Sequence, residues 1–176
     1  MRECFGRCAY THKTHEKMAD GCSTRLRHLK WGQIVLSALT AAGAVGVVFD
    51  RSSAFFTYGT LLLSVGMLIL NSYAKDLNPG AETQKHREAA SDIWNVRESY
   101  LSLLTDIRDA SVPLTKLRTR RDELQSALHK IYKAAPRTDD VAYGKAQTAL
   151  KDNEELTFSD AEIDAFLPAP LRRMKT

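Results

Sequence analysis

The chain has 176 residues, 44% of them hydrophobic, with 25 Lys and Arg against 21 Asp and Glu and a formal charge of +4. With a slightly negative mean hydropathy, these averages exclude a chain that is apolar throughout, a disordered polyelectrolyte and, at three cysteines, a disulfide scaffold. They also conceal a sharp segregation of polarity along the chain.

Residues 1–30 hold the whole formal charge. Arg2, Arg7, Lys13, Lys17, Arg25, Arg27 and Lys30 oppose only Glu3, Glu16 and Asp20, so everything after Lys30 sums to zero. All three cysteines lie here too, and an odd number cannot pair fully within one chain. Cys4, Cys8, His12 and His15 form a C-x3-C-x3-H-x2-H cluster whose thiols and imidazoles are zinc-ligand types. A zinc finger, however, places a long loop between its ligand pairs, whereas these four fit along one short helix. No metal is assigned to them. From about Thr14 to Lys30 the sequence predicts a helix lying at a membrane surface, weakened by Gly21 and Ser23.

Two apolar runs follow, Trp31 to Phe49 and Ala54 to Tyr73, neither with a charged residue, joined by Asp50-Arg51-Ser52-Ser53. A helix of roughly 20 residues spans the ~30 Å hydrocarbon core of a bilayer, so each run crosses once. Lipid offers the backbone no hydrogen-bond partners, and so short a link permits only an antiparallel return: the expectation is a transmembrane helical hairpin. Arg25, Arg27 and Lys30 before the first run and Lys75 after the second place both termini in the cytoplasm and the turn outside. The pI near 9.0 then reflects topology and anionic lipid, and no direct nucleic-acid binding is expected. Ala42-Gly43-Ala44 mimics a signal-peptide cleavage site, but thirty residues precede the run and apolar sequence continues to Phe49.

Inside the first span Ala38, Ala42 and Gly46 fall four apart, a spacing that lets helices approach closely in lipid. The second span carries a polar stripe of Thr57, Thr60, Ser64 and Asn71, and the first a matching one of Gln33, Ser37 and Thr40. Polar groups at this depth face protein or water. The second stripe is the candidate lining of a water-filled pathway.

Beyond Lys75, Asn78-Pro79-Gly80 turns the chain, and a helix is predicted from about Glu82 to Ala110. Ala89, Ile93, Val96, Tyr100, Leu103, Ile107 and Ala110 repeat at four and three as a heptad seam, the candidate bundle or subunit interface. Pro113 breaks the run, and Leu114, Leu117, Leu124, Leu128 and Ile131 continue the spacing on a second, antiparallel helix to about Ala134. Arg121 takes the missing seam position, within reach of an acidic partner such as Glu98 or Asp106. Lys116, Arg118, Arg120 and Arg121 are a candidate anionic-ligand patch for phosphate or headgroups, with Asp122 and Glu123 alongside as salt-bridge partners. Thr138-Asp139-Asp140 starts a helix to about Leu150. Ser159 and Glu162 form a capping box for a last helix, Ala161 to Leu167, whose Ile163, Phe166 and Leu167 are expected on the preceding hairpin. Glu154-Glu155 reads as a solvated pair.

The fold expected is therefore all-α: a cytoplasmic segment (1–30), a transmembrane hairpin (31–73) and a cytoplasmic antiparallel helical bundle (74–176). No nucleotide loop, zinc-protease motif or nucleophile elbow occurs, so neither an enzyme nor a cofactor is indicated.

The paired spans, with His86-Arg87-Glu88-Ala89-Ala90, Tyr100-Leu101-Ser102-Leu103-Leu104-Thr105-Asp106, Arg121-Asp122-Glu123-Leu124, Ile131-Tyr132-Lys133-Ala134-Ala135-Pro136 and the tail from Thr157 to Pro168, resemble the SLATT domain family over about Arg25 to Arg172. The Cys and His cluster lies outside that resemblance. The resemblance implies a two-span effector of bacterial conflict systems, in the inner membrane, which permeabilises it in abortive infection when a phage is sensed. A sensor protein or nucleotide signal from a neighbouring gene would activate it. No catalytic residues come with the family. Two helices enclose no lumen, so a pore requires a homo-oligomer. The alternative is a membrane-anchored scaffold that recruits a cytoplasmic partner through Trp94, Tyr100 or the basic helix without conducting ions.

Overall fold

A computed structural model describes residues 1–173. Its order is α1 (Arg2–Phe49), α2 (Ala54–Leu77), α3 (Pro79–Arg108), α4 (Leu114–Ala134), α5 (Asp140–Lys151), α6 (Asp160–Phe166) and a short 3-10 turn (Ala169–Leu171), with no strand among the described residues. The all-α expectation holds.

The N-terminal segment and the first span are one helix. α1 runs unbroken for 48 residues, about 72 Å at 1.5 Å per residue, straight through Gly21 and Ser23. Local propensity loses here to packing: Cys8, His12, His15 and Ala19, spaced four, three and four, are buried against α3. Lys13 and Thr14 on the adjacent face are buried as well, beside α5. α1 is therefore packed inside a bundle as far as Ala19, while from Asp20 to Lys30 the same helix continues with no buried residue.

The return arm is α2 and α3, separated by Asn78 alone. Asn78 takes a left-handed conformation, φ 37° and ψ 56°, which Asn tolerates better than most residues because its side chain bonds locally. Its carboxamide oxygen accepts the Ala81 amide at 3.4 Å. Pro79, already fixed near helical φ, then occupies the first turn of α3, so α3 starts three residues before Glu82. In consequence α2 and α3 stay on one side of α1 from the turn at residues 50–53 to Met1. The molecule is one long antiparallel hairpin, with α4 and α5 added at its polar end.

Helix α4 packs back along α3 after a turn in which Ala110 adopts φ 50°. The core lies among three helices: Cys8 of α1, with Ile93, Val96 and Tyr100 of α3, is covered by Leu124, Ala127, Leu128 and Ile131 of α4. Ala89, Ile93, Val96, Tyr100 and Leu103 of the predicted seam are buried, with α1 as their main partner. Ile107 is 43% exposed, because it lies past the level of Met1 and no α1 surface reaches it. Arg121 bonds its neighbour Asp122 at 2.6 Å, while Glu98 bonds Arg97. Ala142, Ala146 and Ala149 bury one face of α5 on α1, and Tyr143 stacks on Tyr10 with ring centroids 6.0 Å apart. The Ser159–Glu162 capping box is present in full. Helix α6, however, leaves Ile163 and Phe166 42% and 80% exposed, so it does not pack on the hairpin.

The apolar half is bare. No residue from Trp31 to Tyr73 is buried, and Val48, Phe49, Phe55, Leu62 and Leu68 are each at least 67% exposed. A soluble core helix would be covered; apolar surface open all round a helix pair belongs in lipid. Both helices are long and apolar enough to cross a membrane.

Candidate functional site

The hairpin interface is built on glycine. Against α2, α1 presents Gly32 beside Leu70, Gly43 beside Thr60 and Gly46 beside Phe56. A β-carbon at Gly43 would overlap the Thr60 hydroxyl oxygen, and one at Gly46 the Phe56 ring. These two glycines let the helices touch. Of the small residues read from the sequence, Gly46 thus serves intramolecular contact. Ala38, Ala41, Ala42 and Ala44 are exposed on other faces of α1.

Thr60 sits in that contact with its Oγ1 buried and without a hydrogen-bond partner. It therefore faces α1 in the single chain. Thr57 and Ser64 of its stripe do not. The Ser64 hydroxyl donates to the Thr60 carbonyl at 2.8 Å and the Thr57 hydroxyl to that of Ser53 at 3.2 Å, and both residues are exposed. Asn71 accepts a 2.9 Å bond from Gln33 Nε2 across the hairpin. That bond fixes a relationship the sequence left open. Gln33 and Ser37 lie within about 40° of each other on α1, and Thr57, Ser64 and Asn71 within about 40° on α2, at 100° per residue. Joining Gln33 to Asn71 puts both sets on the same edge of the hairpin. That edge is polar, and the rest of the hairpin surface is mostly apolar, with Tyr58, Ser72 and Tyr73 as exposed exceptions.

Beyond the apolar part of the arms, toward the polar end of the hairpin, lies a buried histidine cluster. His15 of α1 meets His86 of α3 Nδ1 to Nδ1 at 2.9 Å, both at most 3% exposed. One ring must donate and the other accept, so the pair holds a single proton between the facing nitrogens. Burial pushes His15 down to about 4, and the neighbouring His86 and His12 push the same way. Burial also lowers His86, against the opposing pull of Glu82 and Asp139. His12 donates from Nδ1 to the Ala90 carbonyl at 3.0 Å and packs tilted against Trp94 with centroids 4.9 Å apart. Trp94 in turn carries the Arg97 guanidinium, which also covers Phe5. The spacing of Cys4, Cys8, His12 and His15 is explained without a metal: it is the α1 face against α3. Burial raises the Cys8 thiol to about 11 and the Tyr100 hydroxyl to about 12, so both are neutral core groups.

Glu155 departs from its solvated reading. It binds Lys13 at 2.6 Å and Lys17 at 3.4 Å, and Glu16 holds Lys13 from the other side at 2.7 Å. Burial pushes the Lys13 ammonium down, yet the two carboxylates outweigh it and hold its pKa above the usual value. This network closes the α5 end of the bundle onto α1. A sequence separation of 138 residues hides it from any local reading. Glu154, its neighbour, is exposed.

Lys116, Arg118, Arg120 and Arg121 are all exposed, but they do not converge on one face: at 100° per residue Lys116 and Arg120 share one side of α4 and Arg118 and Arg121 another. They also sit at the start of α4, beside the end of α3 and about 40 Å along that helix from Asn78, which separates them from the headgroups near the hairpin. Tyr100 is 1% exposed and cannot receive a partner. Trp94, at 37%, can.

Comparison with known proteins agrees with this architecture. No curated protein and no solved structure matches the chain. A family model described as "SMODS and SLOG-associating 2TM effector domain family 4" matches residues 1–162. The match includes the Cys and His cluster, which the sequence reading had set outside the resemblance, and stops short of Ile163 to Pro168. A bare two-helix hairpin fits a two-transmembrane description, and over residues 1–162 the chain belongs to this SLATT family of two-transmembrane effectors.

Proposed function

We propose that this membrane effector acts as a homo-oligomer in the bacterial inner membrane, both termini cytoplasmic, opening a water-filled pathway when a sensor or nucleotide signal repacks its bundle during phage infection. The polar edge of the hairpin supports this reading most. Copies arranged around an axis, with that edge inward, would surround water with Thr57, Ser64, Asn71, Gln33 and Ser37 and leave apolar faces to lipid. Thr60 belongs to the hairpin seam in this arrangement, which narrows the lining set read from the sequence.

The unbroken α1 supports the coupling. A change in how α1, α3 and α5 pack around His15, His86 and Lys13 reaches the spans without crossing a flexible joint on the α1 side, while Asn78 is the one break on the other. Rotation of one rigid arm against the other is a two-state element of the kind switching requires.

Ion leakage from liposomes containing the purified protein, with and without candidate signals, tests the proposal. Thr57→Leu, Ser64→Leu is expected to reduce leakage at unchanged membrane insertion. Leakage equal to wild type from fully inserted variant would remove the lining assignment, and no leakage under any signal would favour the scaffold, with exposed Trp94 as its anchor.

A further inference from the structure

Between α1 and the first turns of α5 lies a small cavity of about 70 Å³. Cations from two helices ring it: Lys17 and Arg25 from α1 and Lys145 from α5. Asp139 is the only carboxylate in the wall, and it is occupied as the α5 cap, accepting the Ala142 amide at 2.7 Å. Lys17 reaches Glu155 at 3.4 Å. Among the described residues, Arg25 and Lys145 make no ion pair. Like charges directed at one recess repel unless an anion stands between them. Gly21 forms part of the wall, and a β-carbon there would meet nothing within 4 Å, so the recess is open along that side of α1.

We propose that this cavity binds a phosphate group, carried either by an anionic lipid headgroup or by a soluble phosphate anion. Three cations around one small recess suit a single phosphate group. Arg and Lys are the side chains that hold phosphate, through a fork of N–H donors and a mobile ammonium. Its position makes a lipid source geometrically reasonable. Arg25 precedes Trp31 by six residues, about 9 Å of helix and just beyond a polar layer roughly 5–8 Å thick, whereas Lys17 stands about 21 Å from Trp31. The lipid arm rests on the membrane reading above; the phosphate chemistry does not. Because Lys145 is on α5 and Arg25 on α1, a bound phosphate clamps these helices together at the end of the bundle nearest the hairpin.

The test is thermal unfolding of the full chain in neutral detergent at constant ionic strength, with short-chain phosphatidylglycerol, phosphatidylcholine or sodium phosphate added. A ligand that binds only the folded state raises the midpoint, here by roughly 2–8 °C near saturation. The rise is expected with phosphatidylglycerol and absent with phosphatidylcholine. An equal rise with sodium phosphate identifies a soluble source, and a rise with the lipid alone identifies the headgroup. Arg25→Gln, Lys145→Gln is expected to keep or raise its unliganded midpoint, since neither residue is ion-paired and their repulsion is relieved, and to lose the rise. Gly21→Leu, which fills the recess, is expected to lose the rise without losing helicity. Lys116→Gln, Arg120→Gln is expected to respond as wild type. No rise with either anion, or equal rises in wild type and both cavity variants, would overturn the site. Recovery of the same protein in the membrane fraction separates that result from failure of the membrane reading.

Discussion

His15 and His86 face each other Nδ1 to Nδ1 at 2.9 Å, one from each arm of the long hairpin, with both rings out of water. A second proton on this pair would set two N–H groups head to head inside the bundle. The groups facing them from the packed elements are His12 on α1, Glu82 and Lys85 on α3 and Asp139 before α5, too few carboxylates to offset the loss of hydration.

Acid should therefore weaken the bundle. The folded-state pKa of His15 is about 4 against 6.5 for the free side chain, so the unfolded chain binds the proton first as pH falls. The stability held by a neutral His15 is fully present above pH 6.5, declines through the interval below it and levels off under pH 4. At 1.36 kcal/mol per pKa unit the full loss is on the order of 3 kcal/mol. Unfolding midpoints measured from pH 8 to pH 4 should show this slope, and His15→Asn should flatten it. A variant with the wild-type slope would assign the acid sensitivity to other groups.

The hairpin should fail at Gly43 before it fails at Gly59. A methyl at Gly43 collides with the Thr60 hydroxyl, while one at Gly59 meets nothing within 4 Å. Overpacking of this kind costs about 1–3 kcal/mol. Gly43→Ala is expected to lower the hairpin's resistance to unfolding in detergent, Gly59→Ala to leave it unchanged, and Gly43→Ala with Thr60→Ala to recover most of the loss. A double variant as weak as the single one would show that the collision is not the cause.

Along the α3 seam, burial should decide cost. Tyr100 is 1% exposed and Ile107 43%, although both occupy equivalent heptad positions. Tyr100→Ala is expected to destabilise by about 3–5 kcal/mol, the range for truncating a buried aromatic, and Ile107→Ala by well under 1 kcal/mol. Denaturant midpoints for the two variants give the comparison. A large effect at Ile107 with unchanged self-association would place an intramolecular partner on it.

The two spans, their tight return, the α3 heptads, the break at Pro113 and the Ser159 capping box were legible because each depends on residues close in sequence. Twenty uncharged apolar residues and a Ser-x-x-Glu box carry their physics locally. What the sequence determined by itself was thus an all-α chain with a membrane hairpin and an amphipathic polar half. Tertiary structure decided how these were joined. It turned the Cys4, Cys8, His12, His15 spacing from a ligand pattern into a packing face, since α3, with α4 over Cys8, supplies the surface these residues bury against. It drew Glu155 to Lys13 and turned Thr60 into the seam beside Gly43. Through Gln33 and Asn71 it set two separately readable stripes on one edge. Such pairings depend on the rotation of one helix about its axis relative to another, and periodicity within a helix leaves that angle free.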